Sequence, residues 1–264
     1  DLNAATGIGA GEELETSEAT TIRADTTAGD IDIDHAASAA TTLASATTGG
    51  AGGSIAFDQS GDQSLAVTTA TTTDGNITIT TAGGAGGDIT IGSISADTTN
   101  DVVTLTASGA IDDATANPDG TTDITVATID LNAVEGIGAT AHVDTSAATT
   151  ITTDTTNGAI DVDHAATGAT TLTTATTGTG TIAFDQTGNQ SLAVGTVSAT
   201  DGNITIATAG GAGGDITIGS ISADTTNDLV TLTASGAIDD GTAADALADV
   251  TAANATLTAG AGGI

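Results

Sequence analysis

One stretch decides the fold: GGAGGDITIGSISADTTND, at residues 83–101, recurs unchanged at residues 210–228. Its DITIGSIS segment alternates aliphatic with small polar residues. This period of two places one face of a β-strand in a core and the other in water. The flanking Gly, Asp and Asn residues are typical of turns. The stretch therefore predicts short β-strands separated by turns, and the chain uses it twice.

The recurrence extends over the whole chain of 264 residues. IDIDHAA at 31–37 returns as IDVDHAA at 160–166, and IAFDQ at 55–59 returns at 182–186. Such self-similarity at a nearly fixed period is typical of repeat architectures. The chain opens without Met, so we expect it to be part of a longer protein. We predict one continuous rod made of a first unit at 1–129, a second unit at 130–256 and the start of a third at 257–264.

Within each unit, short alternating runs recur at short and even intervals. No apolar period of 3.6 persists, and the one weak helical candidate lies at 241–250. Short, evenly spaced strands with small aliphatic residues suit a narrow stacked core. We therefore predict an all-β parallel β-helix, a β-solenoid with about 22–25 residues per coil. Phe57 and Phe184 hold equivalent places and are expected to lie in the core.

Three motifs carry a resemblance to a known family. They are VTLTASGAIDD at 103–113 and 230–240, GGDITIGSIS at 86–95 and 213–222, and LTAGAGGI at 257–264. They resemble the repeats of filamentous-haemagglutinin-like giant surface proteins of bacteria. The resemblance implies a right-handed parallel β-helix, a location outside the cell or on its surface, and a role as an adhesin or extracellular fibre. No catalytic residues come with it.

Charge restricts the partners. The chain has 34 acidic residues and one basic residue, Arg23, for a net charge of −33. Nucleic acid is gripped by Lys and Arg, so we expect no nucleic-acid partner. We also expect no membrane insertion, since no apolar run reaches the roughly 18–20 residues of a span. The expected partners are copies of the chain itself, stacked end to end or joined as units of one giant chain, and a cell-surface or glycan target.

The same charge predicts how such rods associate. About eleven coils at about 4.8 Å give a rod of roughly 50–55 Å. Its negative charges then lie about 1.6 Å apart along the axis, close to the roughly 1.7 Å of double-stranded DNA. Because such rods repel one another, we expect lateral association to depend on cations.

Regularly spaced aspartates are the candidate metal ligands. Asp30, Asp32 and Asp34 are predicted to share an outward face; the second unit retains Asp161 and Asp163. Carboxylate oxygens suit hard cations, so these residues are candidates for Ca²⁺ or another divalent ion, the alternative being solvated carboxylates. No cofactor is expected to be required. His35 and His164 follow these runs and are expected to be hydrogen-bonded turn residues.

Three classes of function can be compared with these features. A structural fibre or adhesin agrees with the repetition. A Thr-rich ice-binding or calcium-binding solenoid module is the alternative, since pairs such as Thr78/Thr80 and Thr104/Thr106 recur. Enzymes of this architecture that cleave acidic polysaccharides need Lys or Arg to hold the anionic sugar, and Arg23 is the only such residue. We therefore expect no enzymatic activity.

Overall fold

A computed structural model describes residues 1–115, 120–242, 247–260 and 262–264. Within these ranges the protein contains strands and turns and no helix, and all paired strands are parallel. The strands stack as a β-solenoid of about eleven coils, which confirms the predicted fold class. In the helical candidate at 241–250, residues 243–246 lie outside the described ranges, and the remaining residues form bends, irregular chain and the start of a strand.

The strands form two sheets that run the length of the rod. Sheet 1 contains β1 (Leu2–Ala4), β3 (Thr21–Thr26), β5 (Thr41–Ala51), β7 (Leu65–Val67), β8 (Ala70–Asp74), β10 (Ile89–Ile91), β11 (Ile94–Ser95), β13 (Ala110–Asp113), β14 (Ile124–Thr125), β16 (Gly136–Ile137), β17 (Val143–Ser146), β19 (Ile160–Ala165), β21 (Ile182–Thr187), β23 (Ile204–Thr208), β25 (Leu229–Ala234) and β28 (Asn254–Ala259). Sheet 2 contains β2 (Leu14–Ser17), β4 (Ile31–Ala36), β6 (Ile55–Ser60), β9 (Ile77–Ala82), β12 (Val102–Ala107), β15 (Thr128–Ala133), β18 (Thr150–Thr155), β20 (Thr170–Thr179), β22 (Leu192–Asp201), β24 (Ile216–Ser222), β26 (Ile238–Asp240) and β27 (Val250–Thr251).

Coil length varies around the predicted value. The coils from Ile31 to its partner Ile55, and from Ile55 to its partner Ile77, have the predicted length. The coil from Leu14 to Ile33 is shorter, and the coil from Ile94 to Ile124 is longer. Most strand pairs keep a continuous register, with shifts in the pairs β3–β5, β5–β8 and β18–β20. The turns between the strands absorb most of the difference in length, as expected of surface connections.

The core consists of columns in which one aliphatic side chain lies over the next. The predicted alternation is confirmed, since Ile31 and Ile33 are buried while Asp32 and Asp34 between and beyond them face outward. Phe57 and Phe184 are both 1% exposed and lie in the core, as expected. One column of sheet 2, buried throughout, contains Ile31, Ile55, Ile77, Val103, Ile129, Ile151, Leu172, Val194 and Ile218.

Equivalent segments of the two sequence units lie on opposite sheets. IDIDHAA forms β4 in sheet 2, whereas IDVDHAA forms β19 in sheet 1. Five strands of sheet 2 follow β4 before β19 is reached, namely β6, β9, β12, β15 and β18. One unit is therefore five and a half coils long, and successive units are rotated by half a turn about the rod axis.

The same rotation moves a bend in the coil from one sheet to the other. In the first unit, β5 pairs with β7 through its first residues and with β8 from Ala46 onward, so that side of the coil divides into two short strands. In the second unit the division lies in sheet 2, where β24 pairs with both β26 and β27. The predicted unit boundaries at 129/130 and 256/257 lie inside β15 and β28 and stay predictions of the sequence repeat.

Candidate functional site

The stacking of coils, rather than spacing along one strand, brings the carboxylates together. On sheet 2, Glu15 is paired with Asp34, and Asp34 with Asp58. On sheet 1, the equivalent positions are Asp144, Asp163 and Asp185. We call these sets the first and the second carboxylate ladder. Adjacent strands lie about 4.8 Å apart, so each ladder holds three like charges in a row.

This arrangement disfavours the ionised carboxylates. Burial raises the pKa of Asp34, and the charges of Asp58, Glu13 and Glu15 raise it further. In the second ladder, burial raises the pKa of Asp185, and the charge of Asp163 adds to the effect. Like charges directly opposite each other destabilise a sheet. Any bound cation that neutralises a ladder therefore stabilises the rod.

The five candidate metal ligands separate into different environments. Asp30 is exposed and accepts a hydrogen bond from the backbone N–H of Ser54 at 2.9 Å. Asp32 and Asp34 face outward from β4, as predicted. Asp161 of β19 is partly buried, and this burial raises its pKa. Among the described residues, Asp163 is the only one of the five that joins a group of three potential ligand atoms within 4.8 Å of one another.

A histidine distinguishes the second ladder from the first. His142 Nε2 lies 3.5 Å from an oxygen of Asp144 and 3.5 Å from an oxygen of Asp163. The aligned residue in the first unit is Glu13, which instead adds negative charge beside Asp32 and Asp34. A groove runs along each ladder, and residues 120–122 line the groove of the second ladder. The volume of this groove is about 250 Å³, against about 530 Å³ for the groove along the first ladder.

Sequence reasoning missed the ladder partners Glu15, Asp58, Asp144 and Asp185. It considered carboxylates two positions apart on one strand, which lie about 6.6–7 Å apart. The signal that finds the partners is the coil length. Aligning IDIDHA at 31–36 with IAFDQS at 55–60, one coil later, places Asp34 beside Asp58.

His35 and His164 lie within strands and point into the rod, so the expected turn position is wrong. Both residues are 1% exposed, because the alternation of β4 and β19 continues past the aspartates and places the next residue inward. Their hydrogen bonding is as expected, since Nδ1 of each ring lies 2.9 Å from a threonine hydroxyl, that of Thr16 or of Thr145.

Each histidine belongs to an inward-facing polar column, buried throughout except at the half-buried Thr16. The columns run Thr16, His35, Gln59, Thr81 in the first unit and Thr145, His164, Gln186, Thr208 in the second. Each glutamine Nε2 donates to a backbone carbonyl, of Gln63 or of Gln190. The rings of His164 and Phe184 lie 6.4 Å apart, next to the aliphatic core.

Replacing His164 by glutamine should reduce the loss of stability in acid. An unfolded histidine titrates near 6.5, whereas burial lowers the pKa of His164 to about 4. Between these values the unfolded chain binds a proton that the folded ring does not, so His164 lowers stability as the pH falls through this window. His164→Gln should remove about 2–3 kcal/mol of this loss. Urea unfolding at pH 7 and pH 4.5 measures it.

The aspartates with raised pKa have the opposite effect, since they increase stability as the pH falls. They are present in both the unmodified chain and His164→Gln, so their effect cancels when the two are compared. His142→Gln is the control for removing a histidine outside the polar column, and this variant should retain the loss in acid that His164 causes. Because the charge of His142 lowers the pKa of Asp161 and Asp185, a change in this variant would come from those aspartates. An unchanged pH dependence in His164→Gln would show that the ring is accessible to protons in the folded rod.

The row of threonine pairs that includes Thr104 and Thr106 is short. Thr104 and Thr106 of β12 lie beside Thr78 and Thr80 of β9. The next strand places Asp130 and Asn132 at these positions, so the row of threonine pairs ends there.

These features define the protein as an acidic parallel β-solenoid with one carboxylate ladder on each sheet. Comparison with protein-family models, curated proteins and solved structures found no match to this chain. Within the described ranges, no helix combines the length and apolar character that crossing a membrane requires.

Proposed function

We propose that this chain is a structural segment of an extracellular fibre or adhesin, as its resemblance to filamentous-haemagglutinin-like repeats implies. The observation that carries the proposal is the continuous pairing of parallel strands through both sequence units. In such a rod each coil contacts only its neighbours, so further units extend it without changing the core. The fibre grows either as one giant chain or by end-to-end pairing of exposed strands, which are natural templates for another chain.

Cations control lateral association in this proposal. The net charge of −33 is spread over about eleven coils, or roughly 53 Å at the usual strand spacing. Both sheets carry a carboxylate ladder, so rods repel each other from either side. Salt shortens the range of this repulsion from about 10 Å at 0.1 M to about 3 Å at 1 M. Divalent ions can also bridge carboxylates of neighbouring rods.

The test is electron microscopy of the purified chain in low salt, in high NaCl and in millimolar CaCl₂ or MgCl₂. We expect separate rods in low salt and lateral bundles in high NaCl or with divalent ions. Filaments should alternate in surface features about every 26 Å and repeat fully about every 53 Å, because one unit is five and a half coils long. Isolated particles under every condition would contradict end-to-end assembly of separate chains, and bundles insensitive to ions would contradict the role of charge.

Neutralising one member of each ladder provides a matched variant. Asp58→Asn and Asp185→Asn together remove the third charge of the first and second ladder. This double variant should bundle at a lower salt concentration than the unmodified chain, and light scattering measures the difference. The same salt requirement in both would show that the ladders do not control association.

A further inference from the structure

A further acidic group, which shares Asp144 with the second carboxylate ladder, lies where the two sequence units meet. Asp113 ends β13, Asp123 directly precedes β14, and Asp144 lies on β17 in the following coil. One carboxylate oxygen from each residue lies within 4.8 Å of the other two. Two oxygens bound to the same Ca²⁺ at about 2.4 Å can be at most about 4.8 Å apart. The three carboxylates are therefore close enough to bind one ion together.

Asp123 provides an observation independent of this proximity. The residue is 1% exposed, and its Oδ2 accepts a hydrogen bond from the backbone N–H of Asp144 at 2.8 Å. Its Oδ1 is also buried, and no N–H or hydroxyl donates a hydrogen bond to it; the side-chain neighbour of this carboxyl is the carboxylate of Asp113. A buried carboxylate oxygen without a partner is costly, and a bound cation removes this cost.

The surroundings of Asp123 favour a positive ligand. Asp113 and Asp123 are 6% and 1% exposed, and the carboxylate of Asp144 lies beside them, so three carboxylates share a largely buried space. Asp113 is held in place, because its carboxylate accepts a hydrogen bond from the backbone N–H of Thr115 at 2.9 Å. The group thus has a fixed geometry and an excess of negative charge.

We propose that Asp113, Asp123 and Asp144 bind one Ca²⁺ ion at the junction between two sequence units. All three ligands are hard oxygen donors, the type that Ca²⁺ prefers, and backbone carbonyls or water complete its six to eight ligands. Mg²⁺ binds more weakly here, because it demands near-octahedral geometry at about 2.0–2.1 Å. The site holds two coils together, since Asp144 comes from the coil after Asp113 and Asp123. It does not depend on fibre formation.

The repeat provides a matched control. Asp240 and Asp249 occupy in the second unit the places of Asp113 and Asp123. Among the described strands, β27 pairs only with β24, so no strand of the next coil brings a counterpart of Asp144 beside Asp249. Asp249→Asn therefore removes the same charge from the equivalent position without affecting the proposed site.

The experiment is calorimetric titration of the full chain with CaCl₂ in about 0.5 M NaCl, which screens diffuse binding to the polyanion. We expect one saturable ion per chain, at least a tenfold loss of affinity in Asp123→Asn, and unchanged affinity in Asp249→Asn. The asparagine Oδ1 still accepts the Asp144 N–H, so the fold should persist, and circular dichroism checks this. If that variant fails to fold, Asp113→Asn provides the same measurement, because Asp113, unlike Asp144, does not belong to the second carboxylate ladder.

Two results would overturn the site. One is the absence of saturable Ca²⁺ binding in the unmodified chain, in which case the excess charge is relieved by a proton on Asp123. The other is equal affinity in the unmodified chain and Asp123→Asn. Stoichiometric Ca²⁺ binding by rods that never form filaments would support this site while contradicting end-to-end assembly.

Discussion

Replacing Gly158 by alanine should destabilise the rod by about 3 kcal/mol or more. Gly158 follows β18 at a corner and has φ of +88°, a region that L-residues enter at a cost of about 1–2 kcal/mol. A Cβ at this position would overlap the backbone carbonyl oxygen of Glu135 in the preceding coil. Because that oxygen belongs to the backbone, it cannot move aside without disturbing the stacking of coils. The midpoint of urea unfolding measures the effect.

Gly168→Ala is the control for this prediction. A Cβ at Gly168 would meet no atom within 4 Å, and this glycine is not among those with positive φ. Its replacement should change stability by less than about 0.5 kcal/mol. Similar effects at Gly158 and Gly168 would mean that neighbouring coils do not approach as closely at this corner as described. Gly29, with φ of +86°, is the equivalent corner of the first unit and should behave like Gly158.

Truncating Phe184 to alanine should destabilise the rod by about 3–5 kcal/mol. The ring is 1% exposed and lies between Val162 and Ile206 on the neighbouring strands. In so narrow a core, the backbone hydrogen bonds between paired strands hold the neighbouring residues in place. These residues therefore cannot move into the space that the ring leaves. The removed contacts and the cavity therefore both add to the loss, which thermal or urea unfolding measures.

Two variants make this prediction specific. Phe184→Leu retains much of the volume and should lose less than half as much stability, because the cavity term is smaller. Phe57→Ala should behave like Phe184→Ala, since Phe57 lies between Ile33 and Ile79 in the same manner. If Phe184→Ala and Phe184→Leu were equally stable, the column would not be packed as tightly as its burial indicates.

The rotation by half a turn changes the meaning of the sequence repeat for the surface. A periodic sequence alone suggests that equivalent side chains form one row along one side. Here Asp34 faces outward from sheet 2 and Asp163, its counterpart, faces outward from sheet 1. A continued array would therefore expose acidic ladders alternately on opposite sides. Neighbouring rods then meet negative charge in either orientation, which strengthens the expected dependence of bundling on cations.

The amino-acid sequence alone determined the strands, their alternation and the solenoid class. The direction of the side chains follows from the period of two, which is a local property of an extended chain. It places Ile31 and Ile33 inward, and Asp32 and Asp34 outward. The equivalence of Phe57 and Phe184 followed from the repeat in the same way. The inward position of His35 follows from the same alternation continued one residue beyond Asp34.

Tertiary structure alone decided which residues meet across coils. Cross-strand partners depend on the length of each coil, and turns of different length change it between the short coil that starts at Leu14 and the long coil that starts at Ile94. The half-integral number of coils per unit depends on the sum of those lengths. For this reason the pairing of Asp34 with Asp58, and the meeting of Asp113, Asp123 and Asp144 from two coils, required the folded chain.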